Sequence, residues 1–218
     1  MDGGIDGYSR VIVYLFCSNN NRADTVHHLF LEATEKFGWP SRVRSDKGGE
    51  NVDVAYSMFL KKGLNRGSHI AGCPTHNQRI ERLRKDTYRC ACVLYYSLFY
   101  LLEDSGLLSP TDDTDLFCLH YIFLPRINRA LTEYTEAHNH HPISTEREWS
   151  PYQLWYHSSI AADNYDPVDL NSYGTDPQEP SRNSFDIANV DVPDTNNPLD
   201  GLQTDLLRSN IDPLGYSD

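Results

Sequence analysis

The chain has 218 residues and a formal net charge of −12 at pH 7, long enough for one domain with appendages and a sizeable core. No apolar run reaches the roughly 18 residues of a membrane span; the nearest, VLYYSLFYLL at 93–102, is short and aromatic and reads as a buried helix. Five cysteines with no CxxC pair, and no secretory leader, argue against a disulfide framework and for a reduced compartment, nuclear or cytoplasmic.

In chain order, 1–7 (MDGGIDG) begins abruptly and 8–16 (YSRVIVYLF) is a strand whose near-continuous apolar run suits burial on both faces. A turn at Asn19, Asn20 and Asn21 leads into a helix over 22–37, with Val26, Leu29, Phe30 and Ala33 on one face. Gly38, Trp39 and Pro40 end it, and the alternating segment 40–44 is a short strand running into SDKGGEN at 45–51. Strand, helix, strand indicates a mixed α/β sheet. Residues 52–62 suit a helix with Val54, Phe59 and Leu60 inward, and 63–74, rich in Gly, Asn and Ser, reads as a mobile loop. One long helix is predicted from Thr75 to about Glu103, with Tyr95, Tyr96, Phe99 and Tyr100 at core spacing. A polar break follows at 109–115, then a helix over 116–138 disturbed at Pro125, then a Pro-punctuated segment, 140–155, ending in a short aromatic helix.

Charge is unevenly spread. Residues 158–218 hold twelve acidic and two basic residues, whereas 42–89 hold eleven basic and five acidic ones. The basic middle suits nucleic acid, and the acidic tail, with scattered hydrophobic residues and repeated Asp-Pro and Asn-Pro steps, cannot bury enough apolar surface to offset chain entropy. The expected organisation is a folded unit at 1–157 and a disordered acidic tail at 158–218.

The informative spacing is between Asp46, at the tip of the second strand, and Glu81, about two turns into the long helix, with 34 residues between them. Asp-Lys-Gly-Gly is also good turn chemistry, and Glu81 alone could be one half of a surface ion pair. Asn77, Arg84, Lys85 and Tyr88 nevertheless share the helical face of Glu81. A carboxylate between an amide and two cations suits a divalent metal next to a phosphodiester. Cys73 and His76 have no second pair at zinc spacing, and His138, His140 and His141 read as a helix end rather than a ligand set.

SDKGGEN, the loop after it, HNQRIERL at this separation, and the trailing NHHPISTEREWSPYQLW together resemble the core domain of retroviral-type, transposon-derived integrases, which are DDE recombinases; the resemblance runs over about 3–157. It implies a ribonuclease H-like fold, a mixed sheet flanked by helices with an acidic site at the strand ends. The implied chemistry is DNA integration by Mg²⁺- or Mn²⁺-dependent phosphoryl transfer, with Asp46 and Glu81 as catalytic metal ligands. Lys47, Asn77, Arg79, Arg84 and Lys85 would hold DNA, and a dimer is the family-level expectation.

Such a site needs three carboxylates. Asp6 stands forty residues before Asp46 and resembles the acid at the start of the family's second strand, which is not a ligand. The five residues before Asp6 are too few for a strand and a turn. The expectation is therefore a domain lacking its first strand and first catalytic Asp, inactive alone, since two carboxylates under-compensate two divalent ions. Glu50 is a distant candidate for the third acid. The alternatives are a non-enzymatic DNA- or protein-binding module derived from a mobile element, and an incomplete gene model.

Overall fold

A computed structural model of the chain describes residues 1–45, 48–63, 66–71, 78–160, 192 and 195–215. The elements are β1 (Asp2–Ile5), β2 (Ile12–Phe16), α1 (Ala23–Phe37), β3 (Val43–Ser45), α2 (Val52–Lys62), β4 (His69–Ala71), α3 (Gln78–Thr87), a π-turn (Tyr88–Cys92), α4 (Val93–Asp104), α5 (Asp113–His140), α6 (Pro151–Ile160) and α7 (Gly201–Asn210). The class is α/β, as expected. The strands, however, form two separate pairs rather than one mixed sheet. β1 runs antiparallel to β2, with Gly4 opposite Tyr14, and β3 runs parallel to β4, with Arg44 opposite Ile70.

Two of these strands depart from the sequence reading. The residues before Asp6, too few by length alone for a strand and a turn, form β1, because the tight turn at 6–11 lets four residues pair at once with β2. β4 lies inside the segment expected to be loop; its partner is 26 residues upstream (Val43 opposite His69), so no local pattern announces it.

The turn between β1 and β2 is built by Asp6. Its Oδ2 accepts hydrogen bonds from the backbone N–H of Tyr8 (3.1 Å) and Ser9 (2.7 Å) and from Ser9 Oγ (2.7 Å). Arg10 takes a left-handed conformation (φ 65°) there and pairs with Glu146 at 3.0 Å. The carbonyl of Arg10 accepts from His138 Nε2 at 3.1 Å. Arg10 thereby ties the hairpin to the end of α5 and the segment after it.

β2 is held to α5 by two side-chain amides. Asn139, fully buried, accepts from the Ile12 N–H at 2.8 Å and donates to the Ile12 carbonyl at 3.0 Å. Asn128 does the same to Cys17, at 2.8 and 2.9 Å. Eleven helical residues rise about 16.5 Å, and five extended residues span about 16.5 Å, so the two asparagines match the strand's length and share one helical face. Each amide acts as a piece of a neighbouring strand and satisfies backbone groups on the side of β2 away from β1.

The core divides in two. Val26 and Phe30 of α1 meet Val54 and Met58 of α2, with Trp39 and Val43 against them. Ala91, Ile127 and Leu131 form the second cluster, with Leu15, Tyr95, Phe99 and Phe123 packed on it. The expected inward face of α2 holds at Val54 and is corrected beyond it: Met58 is fully buried, while Phe59 and Leu60 are 37% and 70% exposed.

The long helix is interrupted by the π-turn, which inserts an extra residue and rotates the downstream face by about 100°. α5 runs unbroken through Pro125 from an earlier start, because Asp112 caps it by accepting from Thr114 N (2.8 Å) and Asp115 N (3.1 Å). α6 forms as expected. Ser150 and Gln153 make a capping box, Pro151 takes the first helical position, and Tyr152 and Trp155 pack on Phe37 at the end of α1.

The tail departs from expectation over 195–215. α7 is closed by a capping box between Asp200 and Gln203, and its far end is anchored to α5: Tyr121 Oη donates to the Ile211 carbonyl (2.8 Å) and Arg126 Nε to the Pro213 carbonyl (2.6 Å). A capped helix with two tertiary anchors can form in a segment whose overall composition is polar. Residues 158–160, also assigned to the disordered tail, are the end of α6, and 161–191, 193–194 and 216–218 lie outside the described residues.

Burial pushes the imidazoles of His69, His120 and His138 below their ordinary value of 6.5; in His138 it outweighs the hydrogen bond to Arg10. The unfolded chain therefore binds protons at a pH where these folded side chains do not. Their contribution is complete above 6.5 and is lost as pH falls from there through the lower folded values. The urea midpoint is expected to drop between about pH 7 and pH 5, and His138→Gln, which still offers an N–H, is expected to flatten that drop.

Candidate functional site

The face of interest is the outer stripe of α3. Ile80, Leu83 and Thr87 turn inward: Leu83 and Thr87 are buried, and Ile80 Cδ1 lies 3.8 Å from where a Cβ on Gly3 of β1 would stand. With that side committed, Glu81, Arg84 and Lys85 share the opposite stripe by helical phase. Arg84 and Lys85 are exposed and Glu81 is half-buried in the first turn.

Glu81 makes no ion pair among the described residues. Its cationic neighbours at i+3 and i+4 are within reach, yet the pair that forms on this helix is Arg82 with Asp86, at 3.8 Å. An exposed pair of that length contributes little. Among the described residues, then, Glu81 does not form the surface ion pair that was its alternative reading.

The stripe borders β1. The phenol of Tyr14, on β2, is pushed up to about 12, first by burial and then by the Asp2 carboxylate, with Arg84 opposing. Tyr14 therefore links the hairpin to the charged stripe. Nothing in the spacing of the sequence pointed to it, because only the packing of α3 on β1 brings Arg84 close enough to act on Tyr14 electrostatically.

Of the other residues expected at the site, Asp46, Lys47 and Asn77 lie outside the described residues, as do Cys73 and His76. β3 ends at Ser45, immediately before Asp46. Arg79 is half-buried at the start of α3 and, unlike Arg84 and Lys85, is not turned fully to solvent. Asp6 takes three hydrogen bonds on its Oδ2 within its own turn. Glu50 folds back over Gly48, where an added Cβ would meet its carboxylate.

The three histidines at the end of α5 meet backbone carbonyls through ring nitrogens, His138 at Arg10, His140 at Glu136 and His141 at Pro142. They behave as a helix end. Among the described residues no group of three or more His, Cys, Asp or Glu side chains could hold a metal ion. No helix among them is long and apolar enough to cross a membrane.

Comparison with known proteins adds one match. A family model described as an integrase core domain covers residues 1–167. No curated protein and no solved structure matches the chain.

Proposed function

The chain belongs to the integrase core domain family, and on that premise we propose that it is a DNA-binding, ribonuclease H-like unit of a metal-dependent phosphoryl-transfer system. Asp46 and Glu81 are the residues assigned to the metal. The observation that carries this reading is the half-buried Glu81, without an ion pair among the described residues, on a stripe it shares with Arg84 and Lys85.

Carboxylate oxygens are the donors that Mg²⁺ or Mn²⁺ prefers, so the chemistry of Glu81 and Asp46 fits such an ion. A pair of such ions, when bound, polarises the phosphoryl oxygen and stabilises the attacking and leaving oxygens of an in-line displacement. The chain's own contribution is positioning. Arg84 and Lys85 hold phosphate oxygens of the duplex irrespective of base sequence, and Lys47, Asn77 and Arg79 extend that contact. Glu81, which makes no ion pair among the described residues, stays available for the metal.

One carboxylate is lacking from this set. Asp6 is committed to its turn, and the Oδ2 of Asp2 accepts from Ser18 Oγ at 3.4 Å. The proposal therefore expects duplex binding by this chain and no cleavage by it alone.

Fluorescence anisotropy with a labelled duplex over a range of salt tests it. The slope of log K against log salt is expected to fall by roughly 0.9 for each of Arg84→Ala and Lys85→Ala. End-labelled duplex in Mg²⁺ or Mn²⁺ is expected to remain intact. A slope unmoved in the double variant would remove α3 from the interface, and nicked product lost in Glu81→Gln would show that the acids present suffice.

A further inference from the structure

Three sulfur-bearing side chains meet just past the end of β2. Of the chain's five cysteines and two methionines, Cys17, Cys92 and Met1 line one pocket of about 310 Å³. Its walls are apolar. Tyr95 and Phe99, expected in the core, pack on the second cluster and line the pocket with Ile127. Tyr96 and Tyr100, expected beside them, are 50% and 51% exposed, which corrects that reading: they sit about 100° further round the helix. Tyr88 lies edge-on to Tyr96, with ring centroids 5.8 Å apart, and both line the same pocket.

We propose that this pocket is a binding site for a soft, monovalent metal ion, Cu(I), held by the thiolates of Cys17 and Cys92 and the thioether of Met1. It is independent of the phosphoryl-transfer reading, whose ligands are hard carboxylates elsewhere on the chain.

Each cysteine is set in place by its own element. Asn128 accepts from the Cys17 N–H at 2.8 Å and donates to its carbonyl at 2.9 Å, so the backbone carrying the first thiol is fixed at both polar groups. The second thiol is placed by the π-turn. Cys92 is the last residue of that turn and packs against the second cluster with Cys17, whereas Cys90, in the same turn, is exposed. Such turns recur at functional positions in helices.

The two thiols stand close enough to act on each other. Burial pushes the Cys92 thiol up, and the neighbouring Cys17 pushes it further. Burial raises Cys17 as well. Thiols that keep their protons are poor nucleophiles. A cation between them changes this: each sulfur gives its proton to solvent, and the ion offsets the repulsion of the two thiolates.

Ligand chemistry selects the ion. Thiolate and thioether sulfurs are the soft donors that suit Cu(I). Zn²⁺ fills a tetrahedron of harder or thiolate ligands, and among the described residues no third cysteine, histidine or acid joins the pair. The apolar walls point the same way, since a monovalent ion gives up less hydration on entry than a divalent one. Oxidation to a Cys17–Cys92 disulfide is the competing use of two neighbouring thiols, but it leaves the Met1 thioether and the space between them without a role.

Anaerobic titration of the full chain with the Cu(I) complex of bicinchoninate tests the assignment. Cys73→Ser, Cys90→Ser and Cys118→Ser are combined first, which leaves the three pocket sulfurs as they are. That triple variant is expected to take a single equivalent of Cu(I) from the chelator. In the same background Cys17→Ser or Cys92→Ser, each checked for an unchanged melting curve, should weaken uptake by more than the roughly hundredfold that loss of a residue supporting a ligand costs. With methionine labelled at its methyl carbon, the Met1 signal should move on titration. The Met58 signal, fully buried in the first cluster, should stay, so the site is read without any substitution at its ligands. No uptake by the triple variant overturns the proposal. So does uptake indifferent to both Cys17→Ser and Cys92→Ser, a Met1 signal that does not move, or tighter binding of Zn²⁺ than of Cu(I). A Cys17–Cys92 disulfide that forms in air and takes up no copper once reduced overturns it as well.

Discussion

Asn139→Ala is expected to destabilise the chain by about 3 kcal/mol, and to do so by stranding backbone rather than by emptying space. The side chain is fully buried and serves both polar groups of Ile12, whose own exposure is 1%. Removing it leaves an N–H and a carbonyl in the interior with no partner, at about 1–3 kcal/mol for each group. Asn139→Asp keeps one acceptor, loses the donor to the Ile12 carbonyl and buries a charge, so it should be no better tolerated. Asn128→Ala, at the half-buried end of the same strand, offers the contrast: water can reach Cys17, and a loss of about 1 kcal/mol is expected. Urea midpoints at constant slope measure all three. Equal effects at the two positions would show that burial of Ile12 is not what makes Asn139 costly.

Gly4→Val is the second large effect, expected at about 3 kcal/mol. Gly4 faces Tyr14 across the β1–β2 pair, and a Cβ there would lie 2.9 Å from Tyr14 Cδ1 and Cζ and closer still to Cε1. The ring occupies the space a side chain would fill, the usual way an aromatic residue covers a glycine in a neighbouring strand. Tyr14 cannot swing away freely, since burial is the main cause of its raised phenol pKa. The clash is specific to that ring, so Tyr14→Ala should make the Gly4→Val substitution tolerable. The double variant should be more stable than the sum of the singles by about 2 kcal/mol. Strict additivity would place the cost in the backbone of β1 instead.

Several elements were legible in the residues because their signals are local. The face of α1 with Val26, Leu29, Phe30 and Ala33 follows from helical periodicity, and all but the half-buried Leu29 are buried. The cap of α6 can be read in Ser150, Pro151 and Gln153. The order of motifs from SDKGGEN to SPYQLW led to the integrase core, the family that the match over 1–167 shows. Glu81 was readable for the same reason: its helical neighbours follow from spacing alone.

What was not legible depends on distant partners. β1 exists because β2 pairs with it and Asp6 closes the turn, and β4 exists because β3 lies alongside; three or four residues with no strong strand preference do not announce either. The asparagine clamp has a weak signature, two amides eleven residues apart on one helical face, but only the packing of α5 on β2 gives it a use.

Residue order alone carries the family, the helices with clear periodicity, the contrast between basic middle and acidic tail, and the nomination of Asp46 and Glu81. Packing is what brings α3 against β1, half-buries Glu81, and folds part of the tail onto α5. Packing also selects which tyrosines of α4 face outward. The physical reason is range. Helical phase, capping and charge follow from residues a few positions apart, whereas strand pairing, burial and the partner of a buried amide depend on surfaces brought together from across the chain.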